Sequence, residues 1–121
     1  MSDPTCALVN QHIAAIRKVW WPSDGAPAQI EIETKHGRFV SFHVEPATGR
    51  VAARRGPACQ PEDAAEARCW QDLTETLPFA FDGRPLIVTV AAEAGAQVVT
   101  LSSGARLSVC SDGGAILVTG D

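Results

Sequence analysis

In the last third of the chain, four short β-prone runs, 86–91, 97–101, 106–110 and 115–119, alternate with glycine-bearing turns. This rhythm predicts an antiparallel meander. Side-chain alternation and turn length must then agree on which face is buried, and they do. Asp112-Gly113 suits a two-residue hairpin turn, which sets Val109 opposite Ile116 and Leu107 opposite Val118. Ser102-Ser103-Gly104 suits a three-residue loop with glycine in the left-handed position, placing Leu107 opposite Val99 and Ala105 opposite Leu101. A loop around Glu93-Ala94-Gly95 brings Val88 and Val90 against Gln97, Val99 and Leu101. The expected buried face is Val88, Val99, Leu107, Val109, Ile116 and Val118. The opposite face, with Thr89, Val98, Thr100, Ser108, Cys110 and Leu117, is mixed and expected to be partly solvated.

Upstream, Asp3-Pro4 offers an N-cap and a proline at the first helical position, and Val9, Ile13, Ile16 and Trp20 recur at spacings of four, three and four. The spacing predicts an amphipathic helix ending before Pro22, with Trp20 inward. Residue 21 then has two readings: Trp21 covers a sheet edge or stands exposed as an aromatic anchor for another protein. Runs 29–34 and 38–45 alternate Ile30 and Ile32 with Glu31 and Glu33, and Val40, Phe42 and Val44 with Phe39, Ser41 and His43. They read as strands joined at Lys35-His36-Gly37. A weaker run, 50–53, follows the Pro46-Ala47-Thr48-Gly49 turn and is expected to pair with the strand before it. Pro61-Glu62-Asp63 opens a second expected helix over 61–77, with Cys69, Trp70, Leu73 and Leu77 as its buried stripe and Pro78 as its stop. The order helix, three strands, helix, four strands predicts a single α+β domain over 1–121, with one antiparallel sheet of about seven strands and two helices.

A length of 121 residues and 45% hydrophobic content fit one domain with one core. No apolar run reaches the roughly 20 residues of a membrane helix, and Met-Ser-Asp-Pro-Thr-Cys lacks signal-peptide character, so a cytoplasmic location is expected. The four cysteines, Cys6, Cys59, Cys69 and Cys110, are irregularly spaced. They read as free buried thiols, with a Cys59–Cys69 bridge left open. Eight arginines against two lysines, with abundant alanine and glycine, suggest a GC-rich bacterial genome.

The formal net charge is −4, and segment 61–77 alone carries five acidic residues and one basic. Glu62, Asp63, Glu66, Asp72 and Glu75 form either a solvated face or a docking surface for a basic partner. Nucleic acid is disfavoured as a partner, since no basic stripe with interleaved aromatics is present. Arg50, Arg54 and Arg55, the one basic cluster, read as a solvated turn.

For catalysis the best constellation is Ser41, His43 and Glu45, which project from one face of a strand. Residues two apart on a strand stand roughly 7 Å apart, so the weightier reading is a solvated face with a Glu45 to Arg50 cross-strand pair. His43-Val44-Glu45 also matches half of a zinc-deaminase signature, but the Pro-Cys-x-x-Cys half is missing. His12 and His36 show no ligand spacing with the cysteines, and no cofactor or metal is expected.

These readings favour a non-enzymatic module that binds another protein, as monomer or homodimer, of the immunity or inhibitor type that neutralises a basic partner through an acidic surface. In size and acidity the chain is similar to small bacterial immunity proteins and to secretion chaperones, though no motif carries either likeness. The competing expectations are a chaperone-like dimer and a small enzyme or ligand carrier whose pocket lies between sheet and helices and uses Ser41, His43 and Glu45.

Overall fold

The computed structural model describes residues 4–21, 28–45, 47–58, 69–112 and 115–120. Among these residues there are nine antiparallel strands: β1 (Ile13–Trp20), β2 (Gln29–Thr34), β3 (Phe39–Val44), β4 (Val51–Arg55), β5 (Cys69–Asp72), β6 (Ile87–Glu93), β7 (Ala96–Leu101), β8 (Arg106–Asp112) and β9 (Ala115–Gly120). Short 3₁₀ turns occupy Pro4–Ala7, Thr74–Thr76 and Pro78–Ala80. The expected α+β class is therefore corrected: no α-helix occurs among the described residues, and the strands form two sheets, ordered β4-β3-β2-β1-β5 and β6-β7-β8-β9.

The first expected helix is a strand, and its helical spacing has a specific cause. Register between β1 and β2 runs Ile13↔Thr34 and then Ala15↔Glu33, so a bulge shifts the side-chain phase by one residue. Ile13 and Ile16, three apart, thereby reach the same core, where a straight strand would send them to opposite faces. β1 is also an inner strand, buried at Ile16 on its core face and at Val19 and Trp21 on its outer face, so it carries apolar residues on two sides. Trp20 is half-buried and Trp21 is 2% exposed, which reverses the expected inward placement. The second expected helix is corrected over its last part: Cys69–Asp72 pairs antiparallel with β1, and Leu73 and Leu77 pack on the core from the chain that follows. Its first part, 61–68, lies outside the described residues.

Strands β2, β3 and β4 pair as expected, with Ile32↔Val40, Ile30↔Phe42 and Val44↔Val51 in register. The β2–β3 turn closes through Gly37, whose φ of +79° is the left-handed conformation that favours glycine. The meander also forms as expected. Val99↔Leu107 and Val90↔Val99 are as expected, whereas Val109 faces Val118 rather than Ile116. That hairpin runs on to Asp112↔Ala115, a shift of two residues that keeps every side chain on its expected face. Val88 is the exception: β6 bulges between Ile87 and Thr89, so Ile87 takes the core position and Val88 is 46% exposed.

The two sheets share one core. Ile16, Ile30, Ile32, Val40 and Phe42 from the first lie in one cluster with Ile87, Val99, Leu101, Leu107, Val109 and Ile116 from the second. Burial of apolar surface between facing sheets supplies the main driving force of such a sandwich. Among the described residues, backbone hydrogen bonds stitch the sheets at two places. At one, Ile87 N donates to Gln11 O at 3.0 Å and Asn10 N to Ile87 O at 2.8 Å; at the other, Val51 N donates to Gly95 O at 2.8 Å. No helix among the described residues is long and apolar enough to cross a membrane.

Candidate functional site

With one face of the five-stranded sheet committed to the core, the other carries the chain's polar chemistry. Asp72, Arg17, Glu31, Ser41 and Arg54 stand opposite one another in register, one residue from each strand, and form a polar row across the whole sheet. Glu31 at its centre has 0% exposure. A buried carboxylate requires partners, and the fold supplies them. Arg17 Nη1 donates to Glu31 Oε1 at 3.2 Å, Arg17 Nη2 to Glu33 Oε1 at 2.8 Å, and the Ala58 amide to Glu31 Oε2 at 3.1 Å. Burial draws the Arg17 pKa down, but hydrogen bonding and Coulomb attraction to Glu33, and then to Glu31, outweigh it and hold the pKa above its ordinary value.

The Ala58 bond shows why this face is closed at its centre. Gly56 N donates to Phe39 O at 2.8 Å and extends the β3–β4 pairing by one residue; beyond it the chain reaches the polar face, where Ala58 packs with Val19 and Trp21 in a small second cluster. Trp21 is thus part of the interior rather than a surface anchor. Its Nε1 and the Ser41 Oγ are buried without a hydrogen-bond partner among the described residues, as is His43 Nδ1.

Ser41 and His43 share the face, as strand alternation dictates, but no hydrogen bond joins the serine hydroxyl to the imidazole. Ser41 lies between Glu31 and Arg54 in register, and His43 faces Ala52. Glu45 is exposed beyond the end of β3, where its amide donates to Arg50 O at 2.8 Å. The Ser41 hydroxyl is thus sealed from solvent and unbonded to the imidazole. Among the described residues no group of three His, Cys, Asp or Glu side chains is placed to hold a metal ion. Cys69 and Cys110 are free and half-buried, whereas Cys6 is free and exposed rather than buried.

The acidic docking residues divide. Glu62, Asp63 and Glu66 lie outside the described residues. Asp72 ends β5 and Glu75 sits in the following 3₁₀ turn, both exposed. Asp72 Oδ1 accepts from both the hydroxyl and the amide of Thr74, the latter at 2.8 Å. These bonds favour the ionised form, and with the attraction of Arg17 they overcome the small desolvation and hold the carboxyl below its ordinary 3.8. Beside Asp72 on the same strand is Trp70, at 57% the most exposed of the large apolar side chains described. It was expected in the stripe of a helix. In a four-residue outer strand it turns outward instead.

Comparison with protein-family models, with curated proteins and with solved structures finds no match to this chain.

Proposed function

We propose that the chain is a non-enzymatic binding module that docks a basic partner protein on and beside the outer strand β5. The observation that carries this reading is the exposed Trp70 on the same strand as the exposed Asp72, with the exposed Glu75 in the turn that follows. An exposed indole is a costly feature for a soluble surface and a frequent anchor at interfaces. The flanking charge selects the partner's sign, and the segment that leads into β5 adds Glu62, Asp63 and Glu66 in sequence. Such a surface suits an inhibitor or immunity type of action, in which an acidic face covers a basic site without chemistry of its own.

The test is affinity capture from the native host by the parent chain, by Trp70→Ala and by Asp72→Lys/Glu75→Lys, with the captured protein identified and titrated. The reading requires a basic protein, held less tightly as salt rises, weakened roughly 30-fold or more by Trp70→Ala and lost with the charge reversals. Capture of the same proteins by all three forms, or of an acidic protein, overturns it.

A further inference from the structure

At the far end of β1 from this edge, the β2–β3 turn and the chain entering β6 enclose a cavity of about 350 Å³. Its rim carries His12, Lys35 and Arg84, and its floor includes Ile13, Phe81 and Pro85. All the ionisable groups that line it are basic, in a chain whose net charge is −4. Among the described residues no carboxylate forms an ion pair with Lys35 or Arg84. The rim is held in place by the backbone: Lys35 N donates to His12 O at 3.0 Å, Arg84 N to Phe81 O at 3.1 Å, and the His12 ring lies 3.3 Å from Pro85 O through Nδ1. Arg84 has a φ of +50°, a left-handed conformation that glycine adopts freely and arginine only at a cost. The turn thus holds a cation at the cavity mouth in a position that glycine would fill at lower cost.

We infer that this cavity binds a small carboxylate with a compact apolar body, such as an aromatic monocarboxylic acid. The carboxylate would sit between Lys35 and Arg84, whose planar guanidinium matches both of its oxygens. The ring would lie on Ile13, Phe81 and Pro85. The volume falls at the lower end of the range for small-molecule pockets, which sets the ligand's size. The apolar floor selects against a bare inorganic anion, because phosphate would leave that surface uncovered and lose its own hydration. The site shares no residue with β5, so its failure and that of partner docking are separate results.

The experiment titrates the full chain with phenylacetate, 2-phenylethanol and inorganic phosphate, following backbone amide shifts. Phenylacetate is expected to saturate with a Kd of about 1 mM or tighter, with shifts centred on residues 12, 35 and 81–85. The neutral alcohol and phosphate are expected to bind at least about tenfold more weakly. Lys35→Gln and Arg84→Gly should each weaken phenylacetate about tenfold or more. Arg84→Gly removes the cation while suiting the left-handed backbone, so its loss of binding cannot be ascribed to a broken turn. No saturation by phenylacetate at about 10 mM, equal binding of phosphate, or binding indifferent to both substitutions overturns the assignment.

Discussion

The Glu31 carboxylate is buried with Arg17 on one oxygen and the Ala58 amide on the other. Removing one member of a buried pair strands the other, so Glu31→Ala should cost about 3–5 kcal/mol in urea unfolding. The Arg106–Glu93 pair, with side chains 50% and 54% exposed, is the control: Glu93→Ala should cost no more than about 1 kcal/mol. Equal costs would mean that Glu31 is solvated in solution. Asp72 gives a second check through protonation. Its folded pKa is depressed, so its contribution to stability is present above the ordinary value of 3.8 and is lost as pH falls through the folded value. In Thr74→Ala, which removes the hydroxyl donor, the Asp72 carboxyl followed by NMR should titrate closer to 3.8, and the acid-side loss attached to this group should shrink. An unmoved titration would place the cause elsewhere. The burial of Glu31 was not legible in the sequence, because alternation with Ile30 and Ile32 says which face a residue takes and not what covers that face. The covering chain, Gly56 to Ala58, arrives from beyond β4 and carries no marker of its destination.

Among the elements, legibility followed the regularity of the strands. In 29–55 and in most of the meander the period of two is unbroken, and the expected pairing was recovered apart from a two-residue shift between β8 and β9. Where a bulge interrupts the period, the sequence misleads. Ile13 and Ile16 sit three apart on one core, as a helix would place them, and Ile87 replaces Val88 for the same reason. β5 failed differently: four residues at a sheet edge, with one face open, offer too little alternation to read. The β6 bulge makes a sharp prediction. Ile87→Ala should cost about 2–5 kcal/mol, while Val88→Lys should change stability by about 0.5 kcal/mol or less, both measured by denaturant unfolding. A straight strand in the expected register would give the reverse order.

For the whole molecule, the consequence of two sheets on one core is a division of labour between faces. The inner faces hold the sandwich together, the covered outer face of the first sheet is pinned by Arg17, Glu31 and Ala58, and the open features lie at its margins: the β5 edge with Trp70, and the basic cavity at the other end of β1. Every part of this rests on β1 being the strand between β2 and β5. Leu73 N donates to Ile16 O at 2.8 Å, so Ile16 bonds toward β5 and its pairing with Ile32 across β2 is of the close, non-hydrogen-bonded kind; alternation makes Arg17↔Asp72 close in the same way on the β5 side. The most direct test is therefore a proton NOE spectrum of the chain in solution. Cross-strand Hα–Hα contacts between Ile16 and Ile32 and between Arg17 and Asp72 are the predicted result. Their absence, with Hα to amide contacts three residues apart along 13–20 in their place, would put a helix where the sheet's inner strand should be and contradict the account.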